Sequence, residues 1–492
     1  MIKASILAAA AWSEVERIYA AFRSSAQDAH EHAQSVALAE PLERRTLLSA
    51  NLVRDIVSGS TASNPSNLTD VNGTLYFTAN DGSSGVELWK SDGTATGTVR
   101  VKDINPGSGS SSPAILTNVN GTLFFRATDG SSGVELWKSD GTEAGTVRVK
   151  DINPGSGSSS PNPFSSAPDI LVNVNGTLFF AANDGASDLE LWKSDGSEAG
   201  TVRVKDIYAG ASGSEPFWLA NVNGTLYFSA NDGSSGVELW MSDGTETGTV
   251  LVKDIAGGTD HSLPARLTNV NGTLFFVAGT PANGTELWKS DGTETGTVLV
   301  KDIVPGTGGP DPRLLTNVNG TLFFRSTTAA AGYELWKSDG TETGTVLVKD
   351  INPGTGWSNP DFLTDVNGTL FFAATSPTNG VRELWKSDGT EVGTVRVKDI
   401  NPGSGSSSPL NLTNVNGTLF FRATDGSSGI ELWKSDGTDA GTVRVIDIVP
   451  GGGSSTQDPP IAIASGGGMF FNAVDAAHGR ELWVLPAPLP TP

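Results

Sequence analysis

The tripeptide Glu-Leu-Trp occurs nine times, beginning at Glu87, Glu135, Glu190, Glu238, Glu286, Glu334, Glu383, Glu431 and Glu481. The steps between copies are 48, 55, 48, 48, 48, 49, 48 and 50 residues. A fixed period near fifty means that each unit is one supersecondary element whose apolar face is completed by its neighbours. The 492 residues would otherwise suggest three ordinary domains. The repeat instead makes residues 51–485 one array, with an N-terminal extension (1–50) and a Pro-rich tail (486–492).

One unit shows what the array builds. Leu116–Gly121 reads as a short strand entering an Asn-Gly turn, and Thr122–Ala127, with adjacent aromatics, as a strand covered on both faces. After a loop, Val134–Lys138 is a third strand. Ser139–Gly145 is a turn with two glycines available for positive φ, and Thr146–Ile152 alternates Val with charge, as a half-exposed edge does. Four short strands with tight antiparallel hairpins describe a propeller blade, with apolar innermost strands and a polar outermost one. The array opens on Asn51–Ile56, a fourth strand without its first three. It ends on three strands, Ile461–Ala464, Met469–Phe471 and Glu481–Val484, without a fourth. The expected fold is therefore all-β: a propeller of nine four-stranded blades closed by the N-terminal strand, with eight blades plus a displaced unit as the alternative. Lys3 ahead of Ala4–Trp12 has the outline of an export signal. Ser13–Ala39, which holds His30 and His32, patterns instead as a short amphipathic helix.

Charge and composition narrow the partners. The net charge of −22 falls almost wholly on the array, which disfavours nucleic acid and anionic membrane surfaces. There is no cysteine, so disulfides, thiolate catalysis and Cys-zinc sites are excluded. No apolar run is long enough for a transmembrane helix. Nothing in the chain specifies an oligomeric state.

Glu87–Thr94 and its copies, such as Glu286–Thr293, resemble the bacterial ELWxxDGT repeat family, and the resemblance covers the whole array. The unit is also similar to a kelch blade, although the paired glycines after the second kelch strand are missing. Leu42–Ala50 resembles an N-terminal motif of exported proteins written LEPRxLL, with Arg44 where that motif has Pro. Together these imply a secreted or cell-surface address. The ELWxxDGT resemblance implies no particular activity.

A residue present in every unit is expected to be scaffold. Trp89, Trp137, Trp288 and their equivalents are expected to wedge between blades, each with a ring N–H that needs a partner. Glu87, Glu135 and Glu286 sit inside an apolar strand and must accept hydrogen bonds if buried. The Lys after Trp and the turn N–H groups are the candidate partners, and a cation-binding ring of nine acids along the channel is the alternative. Asp92, Asp140 and Asp291 are expected to build the turn before the fourth strand. The Asp of Asp55-Ile56 and its copies is expected to cap the linker. The Asp-Gly turns lack the spacing of a calcium loop or an Asp box.

Function is expected where copies differ. The loop between the second and third strands and the linker between blades both vary, with an insertion around Pro161–Pro168, and in a propeller both emerge on one face. That face is the candidate site for a glycan or protein ligand, with the linker residues Trp218, Trp357 and His261 as candidate contacts. No catalytic triad, HExxH, phosphate loop, metal set or cofactor motif is evident, and His261 and His478 lie in different units. The favoured reading is a non-catalytic binding or adhesion scaffold. The alternatives are a carbohydrate-active hydrolase or lyase using Asp260 or Asp311, and a structural matrix component.

Overall fold

Each unit folds because its two tight turns leave the chain no other short route. In the Asn72-Gly73 turn both residues take positive φ, 51° and 84°, which matches the twist of the strands it joins. The Ser91–Thr98 turn is built differently from expectation. Gly93 uses its freedom at φ 91°, but Gly97 does not adopt positive φ. Gly97 is glycine because any Cβ there would collide with the Asp92 carboxylate, which folds back over the turn to accept from Thr94 N at 2.9 Å.

The computed structural model describes residues 50–159, 171–186, 189–377, 380–455, 462–463 and 468–486. The expected N-terminal helix and export motif, the insertion around Pro161–Pro168 and the tail beyond Pro486 lie outside them. The described residues form an all-β propeller of nine four-stranded sheets, with no helix. Eight blades each take four consecutive strands, as in Ser66–Val71, Thr74–Asn80, Val86–Ser91 and Val99–Lys102. The ninth sheet contains Ala462–Ile463, Met469–Asp475 and Gly479–Leu485. In it Asn51–Arg54 runs antiparallel to Gly479–Leu485, with Asn51 opposite Val484 and Leu52 opposite Trp483.

The first strands of successive blades lie side by side around the axis. They are stitched by asparagines: Asn221 Nδ2 donates to Asn173 O at 2.9 Å, and Asn269 and Asn317 repeat the bond to the preceding blade. Burial does not fall from the inside outward as expected. The second and third strands are the dry ones, whereas the first is only half-buried, because one of its faces lines the channel. The cores lie between blades. Trp192 of the third blade packs in one cluster with Phe124 and Leu136 of the second, and Trp240 with Phe179 and Leu191 of the third. The tryptophan is thus a wedge. Its ring N–H meets no protein acceptor in any of the nine copies, so what it contributes is area.

Candidate functional site

The repeated glutamates are fully buried and do not line the channel. Nor are they held by the lysine after Trp, because Lys90 Nζ reaches across to Gly141 O of the next blade at 2.9 Å. Each glutamate instead holds the linker leaving its own blade. Glu334 accepts from Ile351 N at 2.9 Å, Ser358 N at 2.9 Å and Ser358 Oγ at 2.5 Å. Glu87, Glu190, Glu238 and Glu383 do the same with Ser111, Ser214, Ser262 and Ser407. Glu481 accepts from Ile56 N and Ser63 N at 3.3 and 3.0 Å, and so reaches the segment that follows Asn51–Arg54.

Burial raises the pKa of every one of these acids, and the serine and backbone donors only partly restore the charged form. The fifth blade lacks the serine: Pro310 stands in its place and offers neither N–H nor hydroxyl. Burial there, with Asp302 adjacent, pushes Glu286 up to about 8. The Asp before the linker has a divided role. Asp55 and Asp350 accept from Gly59 N and Gly354 N as expected, whereas Asp103, Asp151 and Asp399 pair with the arginine three residues earlier.

The linkers and the loops between second and third strands share one end of the ring. Val86 N donates to Ser110 Oγ at 2.9 Å, Ser112 N to Val86 O at 3.1 Å, and Asn80 N to Ser63 O at 2.9 Å. We call this end the rim. Its loop acids are held well below the usual carboxylate range. Burial alone would raise Asp81 and Asp129, but the N–H and hydroxyl groups of the two following serines outweigh it and bring both to about 2.

His261 is in the rim, but it does a scaffold task. Its Nδ1 accepts from Val237 N at 2.8 Å, the position that Ser110 Oγ fills in the first blade. Trp218 lies not in a linker but in the first strand of its blade, Phe217–Val222. It lines a groove of about 320 Å³ between the fourth and fifth blades with Phe217, Leu263, Pro264 and Ala265. Trp357 is in a linker, 56 % exposed, with its ring edge-on to Tyr333 at 5.4 Å. The two tryptophans therefore belong to different parts of the rim. Asp260 is exposed. Asp311 is paired with both Arg266 and Arg313 and accepts from Tyr333 Oη at 3.4 Å. Among the described residues no three metal-ligating side chains converge, and no helix is long and apolar enough to cross a membrane.

A feature outside the candidate residues marks the rim more sharply. Among the described residues, twenty-two other than glycine have positive φ. Eight are the asparagines of the Asn-Gly turns. The other fourteen form seven pairs at the rim, each with one residue at the end of a linker and another three residues on, at a bulge in the first strand. They include Glu215 with Trp218, Leu263 with Arg266, Asp311 with Leu314, and Asn359 with Phe362. Aligning the units by their Glu-Leu-Trp would have shown how much these positions vary. That they share the left-handed region is visible only in three dimensions.

No known protein family matches the chain, and no curated protein matches it. Among solved structures it is similar to a puromycin hydrolase, at 13 % identity over 75 % of this chain and 60 % of that one, TM-score 0.35. It is also similar to a prolyl endopeptidase, at 14 % identity over 74 % and 54 %, TM-score 0.38, and to the polysaccharide lyase Uly1, at 14 % identity over 66 % and 91 %, TM-score 0.33. The chain thus spans about 60 % of the hydrolase. Likeness at this level carries no argument about chemistry.

Proposed function

We propose that this chain is a non-catalytic binding or adhesion scaffold, exported or held at a cell surface, whose ligand sits on the rim over the fourth to seventh blades. One observation carries the reading: the positions that differ most between blades are also those where the backbone is strained. A bulky side chain in the left-handed region costs about 1–2 kcal/mol, and the rim holds Trp218, Arg266, Leu314 and Phe362 there. Folding alone would favour Gly or Asn at such sites. The repeated Glu, Trp and Asp are engaged in the scaffold, so they offer no ninefold site. The hydrolase alternative is weakened because Asp311 is held by two arginines. The export address rests on the resemblances at residues 42–50 and in the repeats.

In this reading Asn51–Arg54 is the latch of a closed ring. Deleting residues 51–56 is expected to lower the unfolding temperature steeply; an unchanged melting curve would remove the latch. Glycan and peptide arrays probed with the full chain test the binding function itself. The expected result is a ligand whose binding weakens in Trp218→Asn or Trp357→Ala while thermal stability is kept. Silence on every array, or variants that bind like the parent, would sink it.

A further inference from the structure

Among the described residues, Arg266, Arg313, Arg325 and Arg382 gather with two aspartates, Asp311 and Asp361, on the rim of the fifth to seventh blades. In the first blade Arg100 pairs with both Asp81 and Asp103, and in the eighth Arg444 pairs with both Asp425 and Asp447. In the cluster on the fifth to seventh blades three arginines share two carboxylates, apart from the separate Arg396–Asp399 pair. Asp311 alone serves both Arg266 and Arg313, and Arg382 has Asp361 at 3.5 Å. Arg325 has no carboxylate partner among the described residues. Its guanidinium lies 5.3 Å from the Tyr333 ring centre, Nη1 donates to Pro360 O at 3.4 Å, and its buried Nε has no acceptor. Burial lowers the pKa of Arg266, Asp311 raises it, and Arg313 and Arg325 lower it further; burial likewise lowers Arg382, with Arg325 opposing Asp361. A cluster with more guanidiniums than carboxylates attracts an anion, and guanidiniums bind carboxylate and sulfate groups through paired N–H donors.

An aromatic platform stands beside the cluster. Trp357 is exposed, yet it is fixed. Its edge packs on Tyr333, its carbonyl accepts from Asn352 Nδ2 at 3.3 Å, and its Cδ1, with the Gly356 carbonyl, fills the space a side chain at Gly332 would need. Four backbone donors of that linker are already engaged, Ile351 N, Asn352 N and Ser358 N by Glu334 and Gly354 N by Asp350, which leaves recognition mainly to side chains. A flat indole with planar cations suits a sugar ring that carries acid groups better than an acidic peptide, which would need main-chain partners.

We infer that the rim of the fifth to seventh blades is a binding site for an anionic oligosaccharide, its carboxylates or sulfates held by Arg266, Arg313, Arg325 and Arg382 and one sugar ring stacked on Trp357. This rests on the binding function proposed above and gives it a ligand class.

The test titrates the full chain with four probes: an oligogalacturonate, a sulfated oligosaccharide, a neutral cello-oligosaccharide and polyglutamate. Binding of either acidic saccharide is expected, weakening as salt is raised; which one binds tells carboxylate from sulfate recognition. The Arg313→Gln/Arg325→Gln double variant should lose tenfold or more in affinity and Trp357→Ala several-fold, with unchanged melting temperatures. Arg100→Gln, at a compensated arginine of the first blade, should bind like the parent. Equal binding of the neutral probe, binding of polyglutamate alone, or acidic-saccharide binding indifferent to the double variant would each overturn the inference. If only the neutral probe binds, and Trp218→Asn abolishes it, the anionic site fails while the rim survives as a binding face. If no probe binds here and no array ligand is found, both fail.

Discussion

Two regions of this propeller ask the same thing of the backbone and receive different residues. The Asn-Gly turn at one end needs a left-handed residue, and all eight turns whose conformation is described supply asparagine. The rim at the other end needs two left-handed residues per blade. Of its fourteen, four are asparagine: Asn64, Asn67, Asn359 and Asn411. The rest include Ile115, Glu215, Trp218, Leu263, Arg266 and Phe362. Asparagine tolerates that conformation because its short polar side chain can bond locally, whereas a β-branched or aromatic residue is strained there. The turn is thus what this chain does when only folding matters, and the rim departs from it at an energetic cost. That contrast separates scaffold from candidate site better than exposure or loop membership does.

The largest test asks whether the rim is held or merely loose. Glu334→Ala leaves Ile351 N, Ser358 N and the Ser358 hydroxyl without their buried acceptor. Each orphaned group costs about 1–3 kcal/mol, so a total loss of about 4 kcal/mol is expected in denaturant unfolding. A loss under about 1 kcal/mol would mean that the linker does not need its clamp, and the strain argument would lose its footing.

A pH-dependent effect of similar size marks the fifth blade, with the eighth next, where Glu431 is pushed up to about 7. The folded pKa of Glu286, about 8, stands above its ordinary value of 4.5. Its contribution is therefore complete below about pH 4.5 and is lost as pH rises through about 8. Glu286→Gln cannot ionise, so at pH 9 it should be more stable than the parent by roughly 4 kcal/mol, and nearly equal to it at pH 4.5. Pro310→Ser should shrink the difference by restoring the missing donors. The rim aspartates pull the other way. Asp81 and Asp129, at about 2, contribute above their ordinary value of 3.8 and lose that contribution as pH falls towards 2. Maximum stability is expected near pH 4–5, and melting temperatures across pH 2–9 would show whether the curve has that shape.

What could be read from the chain follows the same division. The nine blades, the Asn-Gly hairpins and the tryptophan wedge were legible because each is spelled the same way every time. The task of the glutamate was not, because its partners lie 17 and 24 residues downstream, across a linker whose path no local pattern gives. Trp218 and Trp357 stood out as breaks in the repeat, but the neighbours that define their surroundings did not. Arg266, Arg325 and Tyr333 lie inside or against strands, where a periodic reading takes side chains for packing. Their convergence depends on a bulge, a positive φ and the approach of two blades, none of which a window along the sequence can express.

The smallest effect is the most direct test of the comparison. Asn319 in a hairpin turn and Leu314 at the rim of the same blade both have positive φ, 49° and 58°. Asn319→Leu should cost about 1–2 kcal/mol, since it brings the rim's strain to a place suited to asparagine. Leu314→Asn should do the reverse and stabilise by about 0.5–1 kcal/mol, because Leu314 is only half-buried and little packing is lost with it. Stabilising substitutions of this kind are commonly found where a residue is retained for function. If both exchanges destabilise equally in chemical denaturation, the rim residues are packing residues after all, and their divergence between blades no longer points to a ligand.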